Sequence, residues 1–160
     1  MIPLQLCLET GGLARPLEFW NYWIGPWCHH EWDRTTYLAC FKMIMERIGP
    51  PNRQHRFGLT LLHEIVTMGD HVTNQERVAF AVAALDAGAP MDLRDDLLKS
   101  TPLGWACRWG REELVHLFLD RGADSLELEA DAEPWATPLA GAEKKGHDGI
   151  VAMLREHRQC

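Results

Sequence analysis

The densest set of groups able to do chemistry is Trp27-Cys28-His29-His30-Glu31-Trp32-Asp33. Thiolate, imidazole and carboxylate groups all ligate zinc. Adjacent Cys28, His29 and His30 cannot easily converge on one tetrahedral ion, and no second pair at ligand spacing follows. The pattern therefore predicts a polar loop between helices and no metal site. The alternative function is a metal-binding, small-molecule-binding or catalytic site around Cys28, His29 and His30. His63-Glu64 is followed by Ile65, Val66 and Thr67, so the second histidine of a zinc-protease helix is missing. Cys107 lies near Arg108 and Arg111, which could lower a thiol pKa, but it occupies a small-residue slot and is expected to pack. His116 sits in an apolar stretch and is expected at a core or edge position. There is no G-x-S-x-G, no phosphate-binding loop and no dinucleotide-type glycine motif. Neither an enzyme nor a cofactor is predicted.

The elements that would position these groups belong to a chain of 160 residues, 46% hydrophobic, with net charge −7. That length suits one compact unit with a core of its own. The acidic balance argues against nucleic acid, which selects clustered Lys and Arg. No apolar run is long enough to span a bilayer, and MIPLQLCLETGG lacks the basic start of a signal peptide. Five cysteines, none in a C-x-x-C pair, predict reduced thiols and a cytoplasmic location. Charge is uneven: residues 1–58 are close to neutral and 59–160 strongly acidic. Four of the seven tryptophans fall between Trp20 and Trp32. Such a string could cap the end of a helical stack, bind a protein or a small molecule, or pack on a second copy of the chain. Asp124, Glu127, Glu129, Asp131 and Glu133 form an acidic run, read as a solvated loop or a patch for a basic partner.

Internal periodicity is the main signal. Thr101-Pro102-Leu103 and Thr137-Pro138-Leu139 stand 36 positions apart, and Thr60-Leu61-Leu62-His63 begins 41 before the first. Thr101 is a good helix N-cap and Pro102 suits the first helical position. The helix should end at Gly110, which can adopt a left-handed C-cap. A second helix follows from about 111 to 121, with Glu112 and Glu113 in its first turn as the macrodipole favours. Its apolar stripe is Leu114, Val115, Leu117, Phe118 and Leu119, and Gly122 closes it. Neither helix can bury its stripe alone, so neighbouring pairs must stack. In the unit beginning at Thr60 the inter-helix turn is stretched by MGDHVTN, and Thr73-Asn74-Gln75-Glu76 is a capping box that restarts the helix. Upstream, Tyr37, Phe41, Ile44, Met45 and Ile48 share one helical face.

These units resemble the ankyrin repeat. TPLGWACRWGREELVHLFLDRGAD and TPLAGAEKKGHDGIVAMLREH fit its T-P-L-H-x-A…G…L-x-x-G-A pattern, except that Gly104 and Ala140 stand where the family has His. His63 retains the His, with Leu61 in place of the Pro. The resemblance implies an all-α solenoid of about three and a half to four helix-turn-helix repeats, with short or absent β-fingers. The expected divisions are a partial helix or cap at 1–13, a degenerate Trp-rich repeat at 14–51, a repeat at 55–92, another at 96–124 and a C-terminal one at 132–160.

The resemblance further implies a non-catalytic protein-binding module that grips its partner on the concave face, made of finger tips and the exposed side of the first helices. The matching slots hold Arg56, Phe57 and Met68, then Leu97, Leu98, Ser100, Arg108 and Trp109, then Lys144 and Lys145. Apolar anchors inside a charged rim are the usual anatomy of a binding site. Alternatively, Leu97 and Leu98 tuck inward and Trp109 lies across its own helix.

Overall fold

The computed structural model describes residues 38, 39, 41–43, 45, 46, 54, 56–69, 72–125 and 137–158. The expected N-terminal cap, the Trp-rich string, the acidic residues from Glu127 to Glu133 and Cys28, His29 and His30 all lie outside them. Within the described residues the regular structure is helical and contains no strand. After a single turn at Arg56–Gly58 come α1 (Leu61–Thr67), α2 (Asn74–Asp86), α3 (Pro102–Arg108), α4 (Glu112–Asp120), α5 (Pro138–Lys145) and α6 (Asp148–His157).

The starts follow from local chemistry. The Thr101 hydroxyl accepts from the Gly104 N–H at 3.4 Å and the Thr137 hydroxyl from the Ala140 N–H at 3.2 Å, with a proline at the head of each helix. At α2, Glu76 reaches back to the Thr73 N–H at 2.7 Å while its own N–H donates to the Thr73 hydroxyl at 3.2 Å, so the capping box forms. At α1 an imidazole replaces the carboxylate of that box, and His63 Nδ1 accepts from the Thr60 N–H at 3.1 Å. The turn after α3 passes through Gly110 at φ 67°, left-handed as predicted.

The stretched turn between α1 and α2 is held by a group the sequence did not single out. Arg77, buried at the start of α2, donates from Nη2 to the carbonyls of Met68 and Gly69 at 2.9 and 2.8 Å, and from Nη1 to Asn74 Oδ1 at 2.9 Å. Its guanidinium supplies donors to carbonyls that α1 leaves behind.

The six helices stack in two rows. α1, α3 and α5 run side by side in one, α2, α4 and α6 in the other, and across the rows α1 packs on α2, α3 on α4 and α5 on α6. The core lies between the rows: Leu62, Ile65 and Val66 of α1, Phe80 and Ala84 of α2, Leu103 and Ala106 of α3, Leu114, Val115 and Phe118 of α4, Ala142 of α5, and Ile150 and Leu154 of α6. Phe41 and Met45, from the face predicted upstream, are buried too, and the Phe41 ring meets Phe80 edge-on at 4.9 Å. His116, expected at a packed edge, instead faces solvent, 2.8 Å from Asp120.

Candidate functional site

The connections that precede α1 and α3 are built into each other. Gln54 donates to the Arg94 carbonyl at 2.8 Å, and the Asp96 N–H donates to the Phe57 carbonyl at 2.7 Å. Phe57 and Leu97 therefore flank the same seam. The approach is tight: a Cβ on Gly58, whose φ is 72°, would stand 2.9 Å from the Asp96 nitrogen.

The second of these loops is organised around Asp95, which is only 1% exposed. Its Oδ2 accepts from the Leu97 and Leu98 N–H groups, each at 2.7 Å. Its Oδ1 accepts from the Ser100 N–H at 3.0 Å and from the Trp105 indole N–H at 2.9 Å. A carboxylate so satisfied can stay buried. From the preceding unit, His63 Nε2 reaches the Ser100 carbonyl at 3.1 Å. Since Nδ1 accepts from a backbone N–H, Nε2 carries the proton and donates. Burial holds the His63 pKa below 6.5, against the opposing pull of the Ser100 bond and Asp95, which favours this neutral tautomer. Trp105 covers the imidazole edge-on at 5.6 Å. The sequence reading missed Asp95 because an acidic loop residue is usually solvated. A backbone-capping aspartate just before a Thr-Pro helix start was the available signal.

This scaffold sorts the anticipated binding residues. Among the described residues three large apolar side chains are left in solvent: Phe57 at 46% exposure, Leu97 at 52% and Trp109 at 51%. Lys144 and Lys145 are exposed and Arg108 is half-buried. Leu98 is half-buried and packs against the core. Two expectations are corrected. Met68 is 6% exposed, its carbonyl held by Arg77, and Ser100 is buried inside the Asp95 loop. Arg56 opens the short turn that carries Phe57. Of α3, Pro102 through Cys107 are all buried, so this helix offers solvent only its C-terminal end, Arg108 and Trp109.

Residues 98–127, which contain α3, α4 and the end of the Asp95 loop, match a family model described as the ankyrin repeat. This stretch is similar to an ankyrin repeat. No curated protein matches the chain. The ankyrin match begins at Leu98 and carries the Thr-Pro helix start, the Gly110 turn and the Gly122 close on which the sequence resemblance rested. Among the described residues no group of three or more His, Cys, Asp or Glu is placed to hold a metal ion, and no helix is long and apolar enough to cross a membrane.

In the register set by Thr60, Thr101 and Thr137, Thr67 aligns with Arg108 and Lys144, and Met68 with Trp109 and Lys145. The first slot thus goes from polar to cationic along the row. The second goes from a buried methionine to an exposed indole and an exposed ammonium.

Proposed function

We propose that this chain is a non-catalytic module of ankyrin-repeat type, acting in the cytoplasm, that docks a partner protein on the face carrying Phe57, Leu97 and Trp109. Its proposed repeats at 55–92, 96–124 and 132–160 each contribute one helix pair to that face. The observation that carries the proposal is the solvent exposure of those three side chains beside a core that buries nearly every other large apolar group of α1 and α3. Aromatic groups held on a rigid frame lose little conformational freedom on binding and dominate interface energetics. Phe57 and Leu97 sit at the loop seam. Trp109 lies at the far end of α3, about 10 Å from it at the rise of a seven-residue helix. Arg108, Lys144 and Lys145 rim the indole, and Arg56 and Leu98 border the seam.

The test is to capture a partner from native extract and titrate it against Trp109→Ala. The variant should bind more weakly by about 2 kcal/mol, the cost of truncating a hot-spot aromatic, with an unchanged melting temperature. An unaltered dissociation constant removes the assignment.

A further inference from the structure

The occupant of this face can be specified from its charge. α3 and α5 pack closely: a Cβ added to Gly141 would lie 3.6 Å from the Cβ of Arg108. Lys144 and Lys145 follow Gly141 by three and four positions, one turn along the flank that meets α3. Arg108, Lys144 and Lys145 are therefore gathered beside Trp109 at the C-terminal ends of two neighbouring helices. Among the described residues none of the three has an ion-pair partner. Three other surface cations are matched, Arg121 with Asp86 at 2.8 Å, Arg155 with Glu143 at 2.9 Å and Lys99 with Asp96 at 3.5 Å, whereas exposed Lys42 and Arg158 stand apart from this cluster in sequence. Glu143, the carboxylate next to Lys144 in sequence, is thus taken up by α6. In a chain of net charge −7, a cluster of unmatched cations is not a by-product of composition. Like charges at this spacing repel one another, and an anion between them relieves the repulsion.

We infer that this end of the face binds an acidic segment of a partner protein, its carboxylates on Arg108, Lys144 and Lys145 and an apolar side chain of the segment on Trp109. The inference rests on the docking face proposed above and adds the chemistry of its occupant. A nucleic-acid backbone fits less well, because phosphates spaced along a strand need a longer cationic track than these residues provide.

The probe is a display library of short random peptides, panned on the full chain, on R108E/K144E/K145E and on W109A. Circular dichroism confirms that each variant is folded, and K144A/K145A serves as the milder charge variant. Peptides enriched on the parent should be rich in Asp and Glu around an aromatic or aliphatic residue. A synthetic representative should bind R108E/K144E/K145E about tenfold more weakly or worse, K144A/K145A by an intermediate factor, and all forms less well as salt rises. No enrichment, enrichment without acidic bias, or unchanged affinity for the folded charge variants overturns the inference. So does charge-dependent binding of an oligothymidylate with no acidic peptide recovered. Peptides lost with W109A but indifferent to charge reversal leave the docking face standing and remove only its acidic preference. Peptides indifferent to both remove the two together.

Discussion

Individual side chains here are tuned by a tight backbone and by burial, and both can be tested one residue at a time. Lys99 holds φ at 53°, and the residue in the same register position of the preceding unit is Gly58, at 72°. A left-handed conformation costs a residue with a Cβ about 1–2 kcal/mol, and glycine escapes most of that at the expense of unfolded-state freedom. Lys99→Gly should therefore stabilise the chain by about 0.5–1 kcal/mol, read from urea unfolding; a loss of stability would show that the ammonium–Asp96 pair outweighs the backbone. Neighbouring His63 and Glu64 respond to pH in opposite senses. Burial lowers the His63 pKa below 6.5, so the unfolded chain takes up the proton first and this contribution weakens as pH falls below about 6.5. Burial raises the Glu64 carboxyl from 4.5 to about 7, so the folded chain holds the extra proton and this contribution weakens as pH rises from 4.5 through 7. Glu64→Gln removes only the second. Its stability relative to the parent should climb in the variant's favour between about pH 5 and pH 8, and a difference that stays constant across unfolding curves at those two values would place the carboxylate in a water-like setting.

At the level of elements, the Asp95 loop joins one repeat to the next. Four donors converge on its carboxylate, and His63 fastens the Ser100 carbonyl from the unit before. Asp95→Ala strands buried N–H groups, each costing about 1–3 kcal/mol when left unpaired. A net loss of about 3 kcal/mol is expected after local relaxation. Asp95→Asn, which keeps one acceptor oxygen, should fall between the variant and the parent in a thermal melt. An alanine variant melting with the parent would mean that water replaces the carboxylate without penalty. How legible these elements were follows from the range of the forces that set them. The starts at Thr73, Thr101 and Thr137 were readable because a cap is satisfied within three residues of itself, and the Gly110 turn because left-handed backbone selects glycine. The roles of Arg77 and Asp95 were hidden. Both are charged groups usually found in solvent, and their partners become visible only once the loops close on them. For the same reason the candidate face was read in part. Exposed Trp109, Leu97 and Phe57 stood in the anticipated slots, whereas Met68 and Ser100 were drawn inward by the Arg77 and Asp95 networks.

Across the whole molecule, stability is divided among interfaces between like units, because each helix pair hides its apolar stripe only against a neighbour. Gly141 sits where this division can be probed. A methyl there meets Arg108 at 3.6 Å, ordinary contact distance, and a helical glycine gains about 0.5–1 kcal/mol on becoming alanine. Gly141→Ala should thus be neutral or slightly stabilising. Gly141→Leu has no space for its further carbons between α3 and α5 and should cost about 1–3 kcal/mol by overpacking. Where that cost appears is the informative part. If the stack is a row of units coupled only to their neighbours, hydrogen exchange in the leucine variant should speed up in α5 and α6 while amides of α1 to α4 keep nearly their parental protection. The Trp109 end of the face would then lose its lysine rim while Phe57 and Leu97 stayed in place, because their seam is fixed by Asp96 and Gln54, which lie before α3 and α1 and not in the damaged helix pair. Uniform loss of protection from α1 to α6 would instead show one indivisible core, and the face would have to be understood as a single rigid surface.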